Sequence, residues 1–250
     1  MVKKRSAFQR VGCRRMLYWG MKVVLTPILR VCYRIRIEGR DHVPATGPVI
    51  LAANHRSFMD SIFLPLVVRR RVTFVAKAEY FDDPKTAWFF RGVGQIPIRR
   101  EGGSASERAL TSANEVLAQG GVFGIYPEGT RTRDGYLHRG HTGVARLALR
   151  TGAPIVPVGL IGTDEIQATD AKLPRVFREV RIRFGTPIPL SHYVGREDER
   201  IVLRQITDEV MFEVQALSGY DYRDTYATKK AEDVPVEEAP MQTLEPAAVA

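Results

Sequence analysis

Residues 48–68 read PVILAANHRSFMDSIFLPLVV. Val49–Ala53 is an uncharged apolar run of strand length, the kind buried on both faces of a sheet. A polar corner follows, Asn54-His55-Arg56-Ser57, and from Met59 to Val68 the pattern is that of a helix with Asp60 at its start. A buried strand feeding a helix through a short corner is half of a strand–helix–strand unit and points to an α/β fold. The alternation continues on both sides. Tyr33–Glu38 alternates apolar and basic residues as an edge strand does, and Val72–Lys77, Gln95–Ile98, Gly121–Tyr126, Pro154–Leu160 and Val180–Phe184 also read as strands. Between them Thr86–Arg91, Thr142–Arg150 and Glu197–Leu217 read as helices. Ser104–Gln119 is a helix opened by a capping box of Ser104 and Glu107, with Ala109, Leu110, Ala113, Val116 and Leu117 on one face and Gly120-Gly121 at its stop. The expected architecture is a mixed, largely parallel sheet flanked by helices, with no internal repeat.

The 250 residues, 44% hydrophobic and 26% charged, exclude a globally disordered chain. The net charge is +9, yet residues 1–37 hold ten Lys and Arg and no acid, so the rest of the chain is close to neutral. Within that arm Phe8, Val11, Met16, Trp19, Val23, Ile28 and Val31 recur at steps of three to five, with basic residues in the gaps. This is the pattern of amphipathic helices lying in a membrane interface, and Pro27 is expected to divide the arm into two. No apolar run approaches the ~18 residues of a membrane span, and no cleavable secretory signal is evident. Cys13 and Cys32 belong to no disulfide framework or zinc pattern. Three parts follow: a basic amphipathic membrane-interface segment (1–37), an α/β domain (38–220) and an acidic tail (221–250) too poor in apolar periodicity to fold.

Chemistry gathers where strands end. A His and an Asp five residues apart would lie roughly 140° apart on a continuous helix and could not meet. At a strand–turn–helix corner the Asp60 carboxylate can fold back on the His55 imidazole, fixing its tautomer and raising its basicity as a general base. Alone, the pair reads equally well as a helix-capping Asp beside an incidental His. After Val122–Tyr126 comes Pro127-Glu128-Gly129-Thr130-Arg131, a tight loop able to present backbone N–H groups, with a guanidinium suited to a phosphate. Lys77 and Arg99 also follow predicted strands, in Val72–Lys77 and in Gly92-Val93-Gly94-Gln95-Ile96-Pro97-Ile98-Arg99. Singly, each of these is a solvated charge. Together they share the edge at which open parallel sheets bind ligands, where a His–Asp base and a cationic cluster suit a substrate with a phosphate and a hydroxyl. The chain lacks a GxSxG elbow, and neither cysteine sits at such a corner, so a covalent acyl-enzyme is not indicated. His138 and His141 lack the partners of a metal set and read as loop or helix-start histidines.

Asn54-His55-x4-Asp60, Gly92 to Arg99 with its Ile96-Pro97-Ile98-Arg99 end, Tyr126-Pro127-Glu128-Gly129-Thr130-Arg131 and Ile155-Val156-Pro157-Val158 follow the order and rough spacing of the four motifs of the glycerolipid acyltransferases. Over about residues 15–215 the chain resembles the bacterial 1-acylglycerol-3-phosphate acyltransferases, with Tyr126 in place of a usual Phe and Thr132 in place of a usual Ser. The resemblance implies direct acyl transfer from acyl-CoA or acyl-carrier protein to the sn-2 hydroxyl of lysophosphatidate, with no cofactor and no metal. It implies that His55 is the base and Asp60 its orienter, and that Arg99, Glu128, Gly129, Thr130 and Arg131, helped by Lys77, hold the glycerol phosphate. It also implies a peripheral or monotopic enzyme on the cytoplasmic face of the cell membrane, attached through residues 1–37. A relative acting on glycerol 3-phosphate or another lysolipid would carry the same motifs. A nucleic-acid-binding role is disfavoured, because the basic arm is striped with apolar residues and no nucleic-acid-binding signature accompanies it.

Overall fold

The structure is a computed structural model that describes residues 7–98, 105–193 and 195–228. In chain order it contains α1 (Ala7–Cys32), β1 (Arg34–Glu38), β2 (Val49–Ala53), α2 (Asp60–Val67), β3 (Val72–Thr73), β4 (Val75–Lys77), α3 (Glu79–Asp82), α4 (Pro84–Gly92), β5 (Ile96–Ile98), α5 (Ala105–Ala118), β6 (Val122–Ile125), β7 (Leu137–His138), α6 (Gly143–Thr151), β8 (Ile155–Ile161), α7 (Thr163–Ile166), β9 (Glu179–Phe184), α8 (Arg200–Ser218) and β10 (Tyr222–Arg223). The main sheet has the order β1-β9-β8-β2-β6-β3. The pairs β1–β9, β8–β2, β2–β6 and β6–β3 are parallel, and β8–β9 is antiparallel.

This topology positions the site. Because only the β8–β9 pair reverses direction, the C-terminal ends of β2, β6 and β8 share one edge of the sheet with the N-terminal ends of β9 and β1. β2 is central and buried on both faces. Its Ile50 and Ala52 join a core with α5, α6 and α8, while Val49, Leu51 and Ala53 join a second core with α2 and the end of α1. The strand therefore cannot slip by one residue without exchanging the two faces, and the His55 corner is fixed by the packing behind it.

Four expectations are corrected. The strand predicted over Val72–Lys77 is two: β3 pairs with β6, and β4 forms a separate parallel pair with β5. The break lies at Phe74, whose N–H is taken by the Gln95 side chain (2.6 Å) and whose carbonyl accepts from Ile96 N–H (2.9 Å). Pro27 does not divide the N-terminal helix, and α1 runs through it as one element. Pro27 lies on the outward face, where the lost N–H bond and the crowded preceding turn disturb no packing. The last helix starts at Arg200, so the acids at 197–199 precede its first turn. The tail does not begin at Asp221: Tyr222–Arg223 pair with β7, and the buried Tyr220 belongs to the core. Residues 229–250 lie outside the described residues, as do residues 1–6 of the basic arm and Ser104 of the capping box.

The amphipathic division expected of the arm does not appear in α1 over the residues whose side chains are described. Its inward side carries the buried Tyr18 and the Lys22 ammonium, which donates to Pro65 O (2.9 Å) and to Val68 O. Burial, with a smaller contribution from Arg40, pulls the Lys22 pKa down to about 8. The outward side carries Met16, Leu17, Trp19, Val23, Val24, Ile28 and Val31, all exposed. The helix is therefore apolar on the face away from the body.

Candidate active site

His55 lies two residues past the end of β2. Asn54 closes that strand: its Nδ2 donates to Leu160 O (2.8 Å) and its Oδ1 accepts from Leu160 N–H (2.7 Å), so one buried amide ties the end of β2 to β8. The chain then turns back at Ser57–Asp60. Asp60, fully buried at the start of α2, accepts with Oδ2 from Arg56 N–H (2.8 Å), Ser57 N–H (2.8 Å) and His55 Nδ1 (2.9 Å). Two of these bonds fold the corner and the third aligns the imidazole. Asp60 thus organises the preceding turn instead of capping α2. With Nδ1 committed to a carboxylate, the proton sits on Nδ1, and Nε2 is left as the basic nitrogen. Nε2 has no hydrogen-bond partner among the described residues, and 16% of the His55 side-chain surface is open to solvent.

The ring is also held on its face. The His55 imidazole stacks on Tyr126 (centroids 3.9 Å apart, 7° between planes), and Tyr126 stacks in turn on Phe74 (5.2 Å, 16°). The Tyr126 hydroxyl bonds Ser61 Oγ (3.0 Å). Gly124 makes room for the stack, because a Cβ there would meet the Phe74 ring at 2.2 Å. The Phe74 break that splits the predicted strand therefore supplies the bottom of the stack on which the histidine rests.

The loop after β6 contributes Glu128 to Arg131. Glu128 is 1% exposed, and its two oxygens accept from His55 N–H and His138 N–H, each at 3.0 Å. Burial pushes its pKa up to about 8, against the opposing pull of the two N–H bonds and of Arg56. This corrects the expectation that Glu128 holds a substrate phosphate: the side chain is buried and both of its oxygens are used inside the protein. Gly129 is exposed and takes a left-handed conformation (φ 74°), with its N–H on Tyr126 O (2.9 Å). A residue with a side chain would be strained at this turn. Thr130 and Arg131 are half-buried beside it. Arg131 Nη1 donates to Thr169 O (3.2 Å), and the Thr169 hydroxyl donates to Arg56 O (3.3 Å), so this guanidinium lies close to the histidine corner. No carboxylate among the described residues pairs with Arg131, and most of its five N–H donors remain for a ligand. Lys77 ends β4 as predicted, and Arg99 lies outside the described residues.

Arg56 was given no role by sequence reasoning, although it stands inside the motif. Its Nε and Nη2 donate to Asp164 Oδ2 (3.0 and 2.6 Å), its Nη1 donates to Gly135 O (2.5 Å), and its guanidinium lies 4.0 Å from the centroid of the Tyr220 ring. It fastens the histidine corner to α7, 108 residues further along the chain. Ser57 adds a bond from its hydroxyl to Gln167 O (2.7 Å), and Thr132 N–H donates to His55 O (2.9 Å). The only available signal was that a charged side chain next to a buried strand end needs a partner, and the sequence does not show which one. Among the described residues no group of His, Cys, Asp and Glu is placed to hold a metal ion.

A buried strand end, a carboxylate-aligned imidazole with one open nitrogen and an arginine tied to the same corner make an arrangement able to take a proton from a hydroxyl and to hold an anion. The profile of the Acyltransferase family matches residues 34–161, and the chain belongs to that family. It is 31% identical over 157 residues to the chloroplastic 1-acyl-sn-glycerol-3-phosphate acyltransferase LPAT1 of Arabidopsis thaliana, covering 62% of this chain and 44% of the plant protein. It is 27% identical over 155 residues to a 1-acyl-sn-glycerol-3-phosphate acyltransferase of Borreliella burgdorferi, covering 61% and 57%. The aligned stretch is thus less than half of the plant protein and little more than half of the bacterial one. The fold matches the crystal structure of the 1-acyl-sn-glycerophosphate acyltransferase PlsC of Thermotoga maritima with a TM-score of 0.62 at 24% identity, over 86% of this chain and 85% of the other.

Proposed function

We propose that the protein transfers a fatty acyl group from an acyl thioester, acyl-CoA or acyl-carrier protein, to the sn-2 hydroxyl of lysophosphatidate, giving phosphatidate. The observation that carries this reading is the His55 ring, with Nδ1 on Asp60 and Nε2 open. In the transfer, Nε2 takes the hydroxyl proton as the oxygen bonds to the thioester carbonyl carbon. The C–S bond then breaks, and the imidazolium returns the proton to the departing thiolate. Asp60 keeps Nδ1 protonated and steadies the cation that forms. No covalent enzyme intermediate is required, and the thioester itself supplies the driving force without a cofactor. Arg131 binds the acceptor's phosphate, with Arg99 and Lys77 as further cations and Thr130 beside it on the turn that Gly129 shapes.

The exposed apolar face of α1 supports attachment to a membrane surface, where the lysolipid resides. Among the described residues no helix is long and apolar enough to cross a bilayer. A peripheral position on the cytoplasmic face, where acyl-CoA and acyl-carrier protein are made, accords with both.

The test is an acceptor competition with the purified protein, offering lysophosphatidate, glycerol 3-phosphate and lysophosphatidylcholine together with one acyl thioester. Phosphatidate is the expected main product. A preference for glycerol 3-phosphate would move the assignment to the neighbouring reaction, and a preference for lysophosphatidylcholine, whose phosphate is a diester capped by choline, would contradict recognition of a phosphomonoester by Arg131.

A further inference from the structure

The segment that joins α7 to β9 carries a feature the transfer reaction does not use. Residues 170–178 are all exposed, and within them Lys172-Leu173-Pro174-Arg175-Val176-Phe177-Arg178 alternates apolar and basic side chains. Phe177 is 77% exposed and Leu173 80%, so two large apolar side chains face water. The backbone beneath them is pinned. Arg175 N–H donates to Ile166 O (2.7 Å), Phe177 N–H to Cys32 O (2.7 Å), and Arg34 N–H to Arg178 O (3.0 Å). Phe177 has φ 61°, and it is the one non-glycine residue with positive φ among those described. A bulky side chain held in this conformation carries strain that nothing in the packing repays, because the ring contacts so little.

The position of the segment supplies a reason. It leads into β9, so it stands at the sheet edge that also bears the His55 corner. Its start is tied to that corner through Thr169 and Gln167, and its end to the last turn of α1. Phe177 also lines a cleft of 440 Å³ with Arg30, Val31, Ile35 and Ile37. The outward apolar face of α1 and the tip of this loop thus meet around Val31, in a field set by Arg30, Arg34, Arg36, Lys172, Arg175 and Arg178. Of the carboxylates at its margins, Glu179 lies 3.4 Å from Arg36 and is also engaged by Arg181, and Asp170, at the start of the segment, pairs with Arg133. Cations in this excess repel a second copy of the same surface and attract an anionic one.

We propose that residues 172–178 are a second lipid-contacting element, with Phe177 and Leu173 entering an anionic bilayer while Lys172, Arg175 and Arg178 meet its phosphates. This rests on the reading of α1 as membrane-attached and adds a contact away from the helix axis. A lone helix on a bilayer leaves rotation about its own axis free, and single weak anchors give only marginal, reversible binding. A second contact fixes the orientation, and this one turns the His55 edge toward the lipid.

The test is co-sedimentation of the full chain with vesicles of phosphatidylcholine containing phosphatidylglycerol, or of phosphatidylcholine alone, for wild type and Phe177→Gly. Glycine adopts φ 61° without strain, so the variant is expected to melt no lower than wild type. Its partitioning to the anionic vesicles is expected to fall roughly tenfold, the scale of losing one buried aromatic ring. Replacing Lys172, Arg175 and Arg178 with Gln is expected to lower the preference for anionic over neutral vesicles roughly tenfold or more, the remainder coming from the basic residues of α1 and β1. Transfer to a short-chain lysophosphatidate below its micellar concentration is expected to stay unchanged in Phe177→Gly. Equal vesicle binding by wild type and Phe177→Gly overturns the proposal and leaves the α1 reading standing. A wild type that does not sediment with vesicles overturns both. Absence of transfer in solution together with the expected vesicle results counts against the acyltransferase reading and leaves the loop assignment intact.

Discussion

Among the described residues are two histidine–carboxylate pairs joined through one residue, one partly open and one buried. Glu128 accepts the backbone N–H of His55 with one oxygen and that of His138 with the other. At first sight the two pairs are alike, with His55 Nδ1 2.9 Å from Asp60 and His138 Nε2 2.9 and 3.0 Å from the two oxygens of Asp134. The difference is the second nitrogen. His138 Nδ1 is held by Thr225 O (3.1 Å), so both ring nitrogens are occupied inside the protein. His55 has no partner on Nε2 among the described residues, and 16% of its side-chain surface is open. A histidine becomes a usable base because a fixed partner occupies one nitrogen and nothing occupies the other. Its twin, with the second nitrogen bonded, is a latch that fastens β7 to the segment after β10.

This contrast can be broken or sharpened by substitution. The largest effect belongs to the open pair: His55→Ala is expected to lower turnover about 10³-fold, the usual worth of a positioned general base, and to leave the melting temperature within a degree or two as the half-open ring leaves. For the closed pair the signs reverse. His138→Ala removes the hydrogen bonds of both ring nitrogens, costs about 2 kcal/mol and lowers the melting temperature by roughly 5 °C. Thermal melts of the two variants check this, and equal destabilisation would erase the distinction.

The smallest effect concerns the joint between them. The carboxyl of Glu128 has an ordinary value of 4.5 that burial raises to about 8 in the fold. The native state then binds the proton more tightly than the unfolded chain, so this group's contribution is greatest below pH 4.5 and is lost as pH rises to about 8. Glu128→Gln lacks this titration. The melting temperature of wild type relative to Glu128→Gln is therefore expected to fall by a few degrees from about pH 5 to about pH 8 and to level off above. A difference that stays constant across that range contradicts the burial argument.

Much of this was legible in the chain because local rules and tertiary packing agree. The central strand Val49–Ala53, the helix after Asp60 and the helix over 105–118 follow from apolar runs and periodicity, which the core then uses unchanged. The His55–Asp60 contact was legible as a possibility, since it spans only five residues. What could not be read depends on pairs distant in sequence. Arg56 finds Asp164, the Tyr126–Phe74 stack needs Gly124, and the Tyr222–Arg223 strand is stabilised by β7. Glu128 was misplaced for the same reason: an acid beside an exposed glycine reads as a surface residue until the fold closes over it. Pro27 misled in the opposite way, because a helix-breaking residue on an unpacked face breaks nothing.

The central claim, that the open imidazole and not its closed counterpart performs the transfer, is tested most directly by one assay. Initial rates of acyl transfer to lysophosphatidate are measured for His55→Ala and His138→Ala at equal concentrations of folded protein, below the melting range of both. The account predicts a rate within about tenfold of wild type for His138→Ala and only background for His55→Ala. Sustained turnover by His55→Ala, or its disappearance in His138→Ala alone, would contradict it.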